Sequence, residues 1–90
     1  LFLNRKSSLN NGAKTMIIEN FNIKAVRRAL GLELKNVRRE RALSQEQLSE
    51  AASISTKDIN TIEAGKGYLI SGFRRLLKFY GKKVRIEIVD

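Results

Sequence analysis

Two serines in this chain stand in the same company. Ser44 is followed three residues on by Gln47, and Ser55 by Asp58. A serine hydroxyl at this spacing accepts a hydrogen bond from an amide in a helix's first turn. The later side chain reaches back to the serine's own amide. That chemistry is capping, not bond making, and nothing else in the chain builds a catalytic set. The 90 residues include neither Cys nor His, which excludes thiol and imidazole nucleophiles, disulfides and Cys- or His-based metal sites. Acidic side chains alternate with basic ones along candidate helices, the pattern of a solvated surface. Ala64–Gly67 reads AGKG, without the spacing of a phosphate loop and with no strand before it. The expectation is a protein that is not an enzyme and needs no cofactor or metal.

The two caps define the elements around them. Gln45–Gly65 reads as two short helices joined by a tight turn. Leu48, Ala51 and Ala52 recur at helical spacing, Ile54 falls in the turn, and Ile59 and Ile62 continue one apolar face. Ser53 and Ser55 bracket the turn, and Gly65 is placed to end the second helix. Helices this short cannot bury their faces alone. They need flanking helices, and the usual work of such a helix-turn-helix is to set its second helix in a DNA groove.

The flanks supply those helices. Asn22 offers a cap, and Ile23, Val26, Leu30, Leu34 and Val37 follow at spacings of three and four. One helix is predicted from about Ile23 to Arg41, with a weak point at Gly31 worth roughly 1 kcal/mol against Ala. Its other face carries Lys24, Arg27, Arg28, Lys35, Arg38 and Arg39, either solvated or turned to phosphate. After the Lys66-Gly67 turn, Leu69, Phe73, Leu76, Leu77 and Tyr80 mark a further helix that Gly81 ends. The period then changes. Val84, Ile86 and Ile88 alternate with Arg85 and Glu87, so residues 83–89 read as a strand. A lone strand cannot satisfy its own backbone. Its partner is either the same strand of a second copy, giving a two-fold dimer, or Met16–Ile18 of its own chain.

Length and composition bound the rest. Ninety residues make one small domain, and 42% hydrophobic with 30% charged residues is ordinary for a folded one. Residues 1–15 read as a flexible tail, with 16–90 the folded domain. Arg5, Lys6 and Lys14 could form a basic arm. Met16 opens the first patterned segment. Eighteen Lys and Arg against nine acidic residues give +9, which favours polyanionic partners: nucleic acid first, an acidic membrane or protein second. The bland alternative is solubility alone. No apolar run approaches the roughly 18 residues of a membrane span, and the first residues lack a signal-peptide core, so a cytoplasmic protein with no membrane partner is expected.

The charge is unevenly spread. Between Ser44 and Gly65 the only base is Lys57, against Glu46, Glu50, Asp58 and Glu63, a balance of −3. Residues 24–43 carry seven basic and two acidic side chains, +5, and residues 66–90 the same. Attraction to phosphate must therefore come from the flanks: the first long helix, Lys66, and the stretch from Arg74 to Lys83. If those flanks face away from a duplex, the basic surface belongs to a protein partner.

Leu34–Gly65, LKNVRRERALSQEQLSEAASISTKDINTIEAG, resembles the lambda-repressor-like (Cro/Xre) helix-turn-helix family. Val37, Arg38, Leu43, Ser44-Gln45, Leu48, Ala52, Ile54-Ser55, Ile59 and Ile62–Gly65 carry the likeness. Over about Ile23–Val89 the layout looks like the HipB-type antitoxins, small dimeric repressors that pair with a kinase-like toxin. The resemblance implies a mostly α bundle of about four helices, with a C-terminal β-strand pairing in a homodimer. It implies that Thr56–Ala64 is the recognition helix, with Thr56, Lys57, Asn60 and Thr61 towards base edges. Lys suits guanine, Asn suits adenine, and a Thr methyl suits thymine. Gln45 would touch the DNA backbone, where a helix N-terminus already favours phosphate. With Ser55 and Lys66 these complete the expected DNA-binding set. Arg38 and Glu63 would form a structural ion pair, and Val84, Ile86 and Ile88 the dimer strand.

Three positions depart from the family's pattern. Ser53 stands where the turn usually has Gly, at a cost on the order of 1 kcal/mol if its backbone is left-handed. Ser49 replaces an Ala, and Ala64 an Asn. The function implied is a repressor of its own operon through an inverted-repeat operator of double-stranded DNA, with a toxin as further partner. A stand-alone phage-type or housekeeping regulator, and a protein-neutralising module that does not read DNA, remain alternatives.

Overall fold

The computed structural model describes residues 15–67 and 70–90. Arg5, Lys6, Lys14 and Leu69 therefore lie outside the described residues. Four helices follow in order: α1 Ile23–Glu40, α2 Gln45–Ala52, α3 Thr56–Glu63 and α4 Ile70–Tyr80. The expected starts hold. The Asn22 side chain accepts from the Ala25 amide, and Ser44 and Gln47 exchange both bonds of a capping box. At Ser55 the serine half is present, its Oγ accepting from the Asp58 amide at 3.1 Å.

The helix ends share one device. Each of the four stops at a residue with positive φ: Ala42 at 55°, Ser53 at 57°, Gly65 at 73° and Gly81 at 69°. After each, the next amide returns to a carbonyl five residues back: Leu43 to Arg38, Ile54 to Ser49, Lys66 to Thr61, Lys82 to Leu77. These are Schellman closures, which satisfy the last carbonyls of a helix. Gly adopts this conformation freely, whereas Ala42 and Ser53 hold it against a Cβ clash.

The core is one cluster: Leu34, Val37, Leu48, Ile54, Ile59, Ile62, Phe73, Leu76 and Tyr80. Leu48, Ile59, Ile62 and Leu76 are sealed from solvent. Helix α3 packs against all three others, so the element predicted to read DNA is also the one the core is built on. Burial pushes the Tyr80 hydroxyl's pKa up, with Glu63 adding to the effect. Arg41 caps the same corner, donating to the Tyr80 carbonyl at 2.8 Å with its guanidinium over the Tyr80 ring.

One expectation, at Gly31, needs correction, and another, the strand over 83–89, has no counterpart in the single chain. Gly31 is not a weak point. A Cβ there would meet the Ile62 carbonyl oxygen at 2.2 Å, so the missing side chain is what lets α1 lie on the end of α3. The strand over 83–89 is not formed. Residues 82–90 carry no regular structure, every one is exposed, and Met16–Ile18 forms no strand with them. The physical reason is the one that made the strand odd: a strand needs a ladder partner, and this single chain presents none among its described residues.

Candidate nucleic-acid interface

Helix α3 has two unlike faces. Ile59, Ile62 and Glu63 point inward, while Thr56, Lys57 and Asn60 are exposed on the other side. Lys57 presents an ammonium that suits guanine, and Asn60 an amide that suits adenine. Thr61, one turn on, is half-buried and already committed. Its Oγ1 donates to the Lys57 carbonyl at 2.9 Å. Its methyl sits where a Cβ on Gly67 would come within 2.9 Å. Of the four expected readers, Thr56, Lys57 and Asn60 are in the open, with Thr61 shaping the turn behind them. Ser55 is exposed but holds the helix start with its hydroxyl.

What holds this rim at a fixed angle is a buried polar node. Arg38 Nε donates to Glu63 Oε2 at 2.8 Å and Nη2 to Oε1 at 3.0 Å, a two-pronged pair with little exposure on either side chain. Arg38 Nη1 donates to the Leu43 carbonyl at 2.8 Å, and Gln45 Nε2 to Glu63 Oε1 at 3.1 Å. One carboxylate therefore joins α1, the start of α2 and the end of α3. Its hydrogen bond to Arg38 raises the pKa of the guanidinium above its ordinary value, against the opposing effect of burial. Such a pair fixes geometry more than it adds stability.

The node changes the reading of Gln45. The resemblance implies a phosphate contact, yet one amide hydrogen of Gln45 goes inward to Glu63. The second hydrogen and the helix N-terminus are what Gln45 offers an outside acceptor. Sequence reasoning paired Arg38 with Glu63 but missed this third member. Chain order gives no sign of it, because Gln45 and Glu63 stand 18 residues apart and meet only through the fold.

The bases divide between two flanks. A Cβ on Gly65 would lie 2.6 Å from the Arg28 Cα, so the first half of α1 runs against the turn after α3. Arg28, Lys24 and Lys66 are exposed in that region, beside the reading helix. Arg75 lies elsewhere. Its Nη1 donates to the Ser53 carbonyl at 3.0 Å, in a cleft with Ser55, Asp58 and Ser71. That is the Asp58 flank of α3, not the flank of Lys57 and Asn60. Of the exposed bases, Arg28 and Lys66 are thus the ones the structure sets against the turn that ends α3.

A helix-turn-helix domain matches residues 29–82, more than half of the chain. The chain belongs to the helix-turn-helix family. The match covers α2, α3, most of α1 and all of α4, and agrees with the Cro/Xre resemblance. It places the domain among DNA-binding transcriptional regulators, a family that is typically not enzymatic. No curated protein matches the chain. Among the described residues no His, Cys, Asp or Glu group could hold a metal ion, and no helix is long and apolar enough to cross a membrane.

Proposed function

We propose that this helix-turn-helix domain is a sequence-specific repressor that binds an inverted-repeat operator as a homodimer. The observation that carries the reading is the exposed rim of Thr56, Lys57 and Asn60, held on a helix whose last residue is locked by Arg38 and Gln45. Two such helices, one per copy, would enter successive major grooves about 34 Å apart. Arg28, Lys24 and Lys66 supply phosphate attraction that the acidic reading unit lacks. The copies join through residues 83–89, which alternate like a strand and have no partner strand among the described residues of their own chain.

The layout from Ile23 to Val89 supports a finer role: the antitoxin of a pair with a kinase-like toxin, repressing its own operon. A second reading follows from the −3 balance of residues 44–65, which would suit a module that neutralises a protein and no longer reads DNA. Salt separates the two, because phosphate contacts make affinity fall steeply as salt rises. The test is a footprint of the full chain on its own upstream DNA, repeated across salt concentrations. Lys57→Ala with Asn60→Ala should relax selectivity by about 10-fold or more and leave the fold intact. Unchanged operator selectivity would remove these residues as readers. A salt-independent result, or no footprint, favours the protein-only role.

A further inference from the structure

Residues 82–90 leave α4 through the Gly81 turn and continue exposed, from Val84 at 44% to Ile86 at 81% and Ile88 at 99%. Branched apolar side chains this open, at 84, 86 and 88 between the charges at 83, 85 and 87, need a cover. We propose that the cover is the same segment of a second copy, paired antiparallel about a two-fold axis at Ile86. This rests on the homodimer put forward above and specifies its register.

The argument is charge and face. Directly opposed residues of an antiparallel pair share a face of the sheet. With the axis at Ile86, that residue meets its own copy and Val84 meets Ile88 of the second copy. Arg85 meets Glu87 and Lys82 meets Asp90, each pair occurring twice by symmetry. One face then carries Val84, Ile86 and Ile88 of both copies, six branched apolar side chains, with Lys82 beside Asp90 at its ends; the other sets Arg85 beside Glu87 and Lys83 beside Val89. The neighbouring registers fail. An axis at Arg85 opposes two guanidiniums, and an axis at Glu87 opposes two carboxylates. An axis between residues sets Arg85 beside Ile86, mixing the faces. A parallel pair in register sets every charge beside its own copy. An axis at Val84 sets Lys83 beside Arg85, and one at Ile88 sets Ile86 beside Asp90, so only the axis at Ile86 pairs Arg85 with Glu87 and keeps Val84, Ile86 and Ile88 together; an unrelated acidic partner would have no use for Glu87 and Asp90.

The chain holds no cysteine, so single cysteines report the register directly. Full-length Ile86→Cys should oxidise to a covalent dimer about 10-fold or more faster than Arg85→Cys or Glu87→Cys, because only a residue on the axis meets its own copy within disulfide reach. Arg85→Glu alone and Glu87→Arg alone should each weaken the dimer about 10-fold, through two like-charge contacts. The double exchange should restore it. Sedimentation of the unaltered chain distinguishes the failures. A monomer at every concentration ends the homodimer and the register together. A dimer that crosslinks fastest at 85 or 87, or that the double exchange does not restore, ends the register and leaves the dimer standing.

Discussion

Residues 44–65 and residues 82–90 are both strongly patterned, yet only the first has a settled structure in a single chain. The difference lies in where backbone hydrogen bonds go. Helices α2 and α3 bond internally, and their loose ends are met within the motif by Ser44, Gln47, Ser55 and the turns at Ser53 and Gly65. A strand exports its bonds, so its pattern is an instruction that needs a second strand to carry out. Pattern therefore predicts structure locally for a helix and only conditionally for a strand. The same contrast separates two kinds of surface. The rim on α3 is borne by a helix packed into the core, whereas the 82–90 segment is exposed and carries no regular structure.

The largest effect should come from breaking what makes the first region self-sufficient. Glu63→Ala removes the carboxylate that Arg38 and Gln45 share. It leaves a guanidinium almost out of solvent with no countercharge. The expected loss is about 3–5 kcal/mol, the scale for removing one partner of a buried ion pair. Chemical denaturation followed by circular dichroism measures it. A loss below 1 kcal/mol would mean that water reaches Arg38 and that the node does not fix the recognition helix.

Much of this was legible beforehand. The four helices and the serine caps of the central motif follow from local spacing, because they use contacts within a few residues; the Arg38–Glu63 pair, 25 residues apart, was implied by the family resemblance alone. The illegible parts depend on distance. Gly31 reads as a flaw along the chain and becomes a necessity only when the Ile62 carbonyl is laid against it. Ala42 gives no sign of a left-handed turn, since its type does not ask for one. That conformation is imposed by the closure from Leu43 to Arg38 and by Arg38 gripping the Leu43 carbonyl. In the candidate site the exposed rim was readable. The inward turn of the Gln45 amide and the commitment of Thr61 were not, because each is decided by a neighbour brought close by folding.

A middle-sized effect sharpens the first half of the comparison. Ser53 sits at φ 57° where glycine would sit without strain, and its side chain is exposed. The left-handed conformation costs a non-glycine residue roughly 1–2 kcal/mol, part of which glycine returns through its greater freedom when unfolded. Ser53→Gly should therefore stabilise the domain by about 0.5–1 kcal/mol, seen as a raised midpoint of thermal unfolding. Destabilisation would show that the hydroxyl does something in the turn beyond occupying it.

The smallest expected effect is the most telling, because it is measured on the second region. Ile86 contributes nothing to the core cluster and is 81% exposed. Surface changes away from caps, cores and pairs usually shift stability by no more than about 0.5 kcal/mol. Ile86→Asp should therefore leave the melting of dilute, monomeric protein unchanged within that range, while greatly weakening self-association. Those two results together would place the helices and the exposed segment in separate cooperative units, one folding alone and the other folding on assembly. If the dilute monomer instead loses stability by more than 1 kcal/mol, residues 82–90 pack on their own helices. The contrast between a self-contained motif and a partner-dependent strand would then be lost.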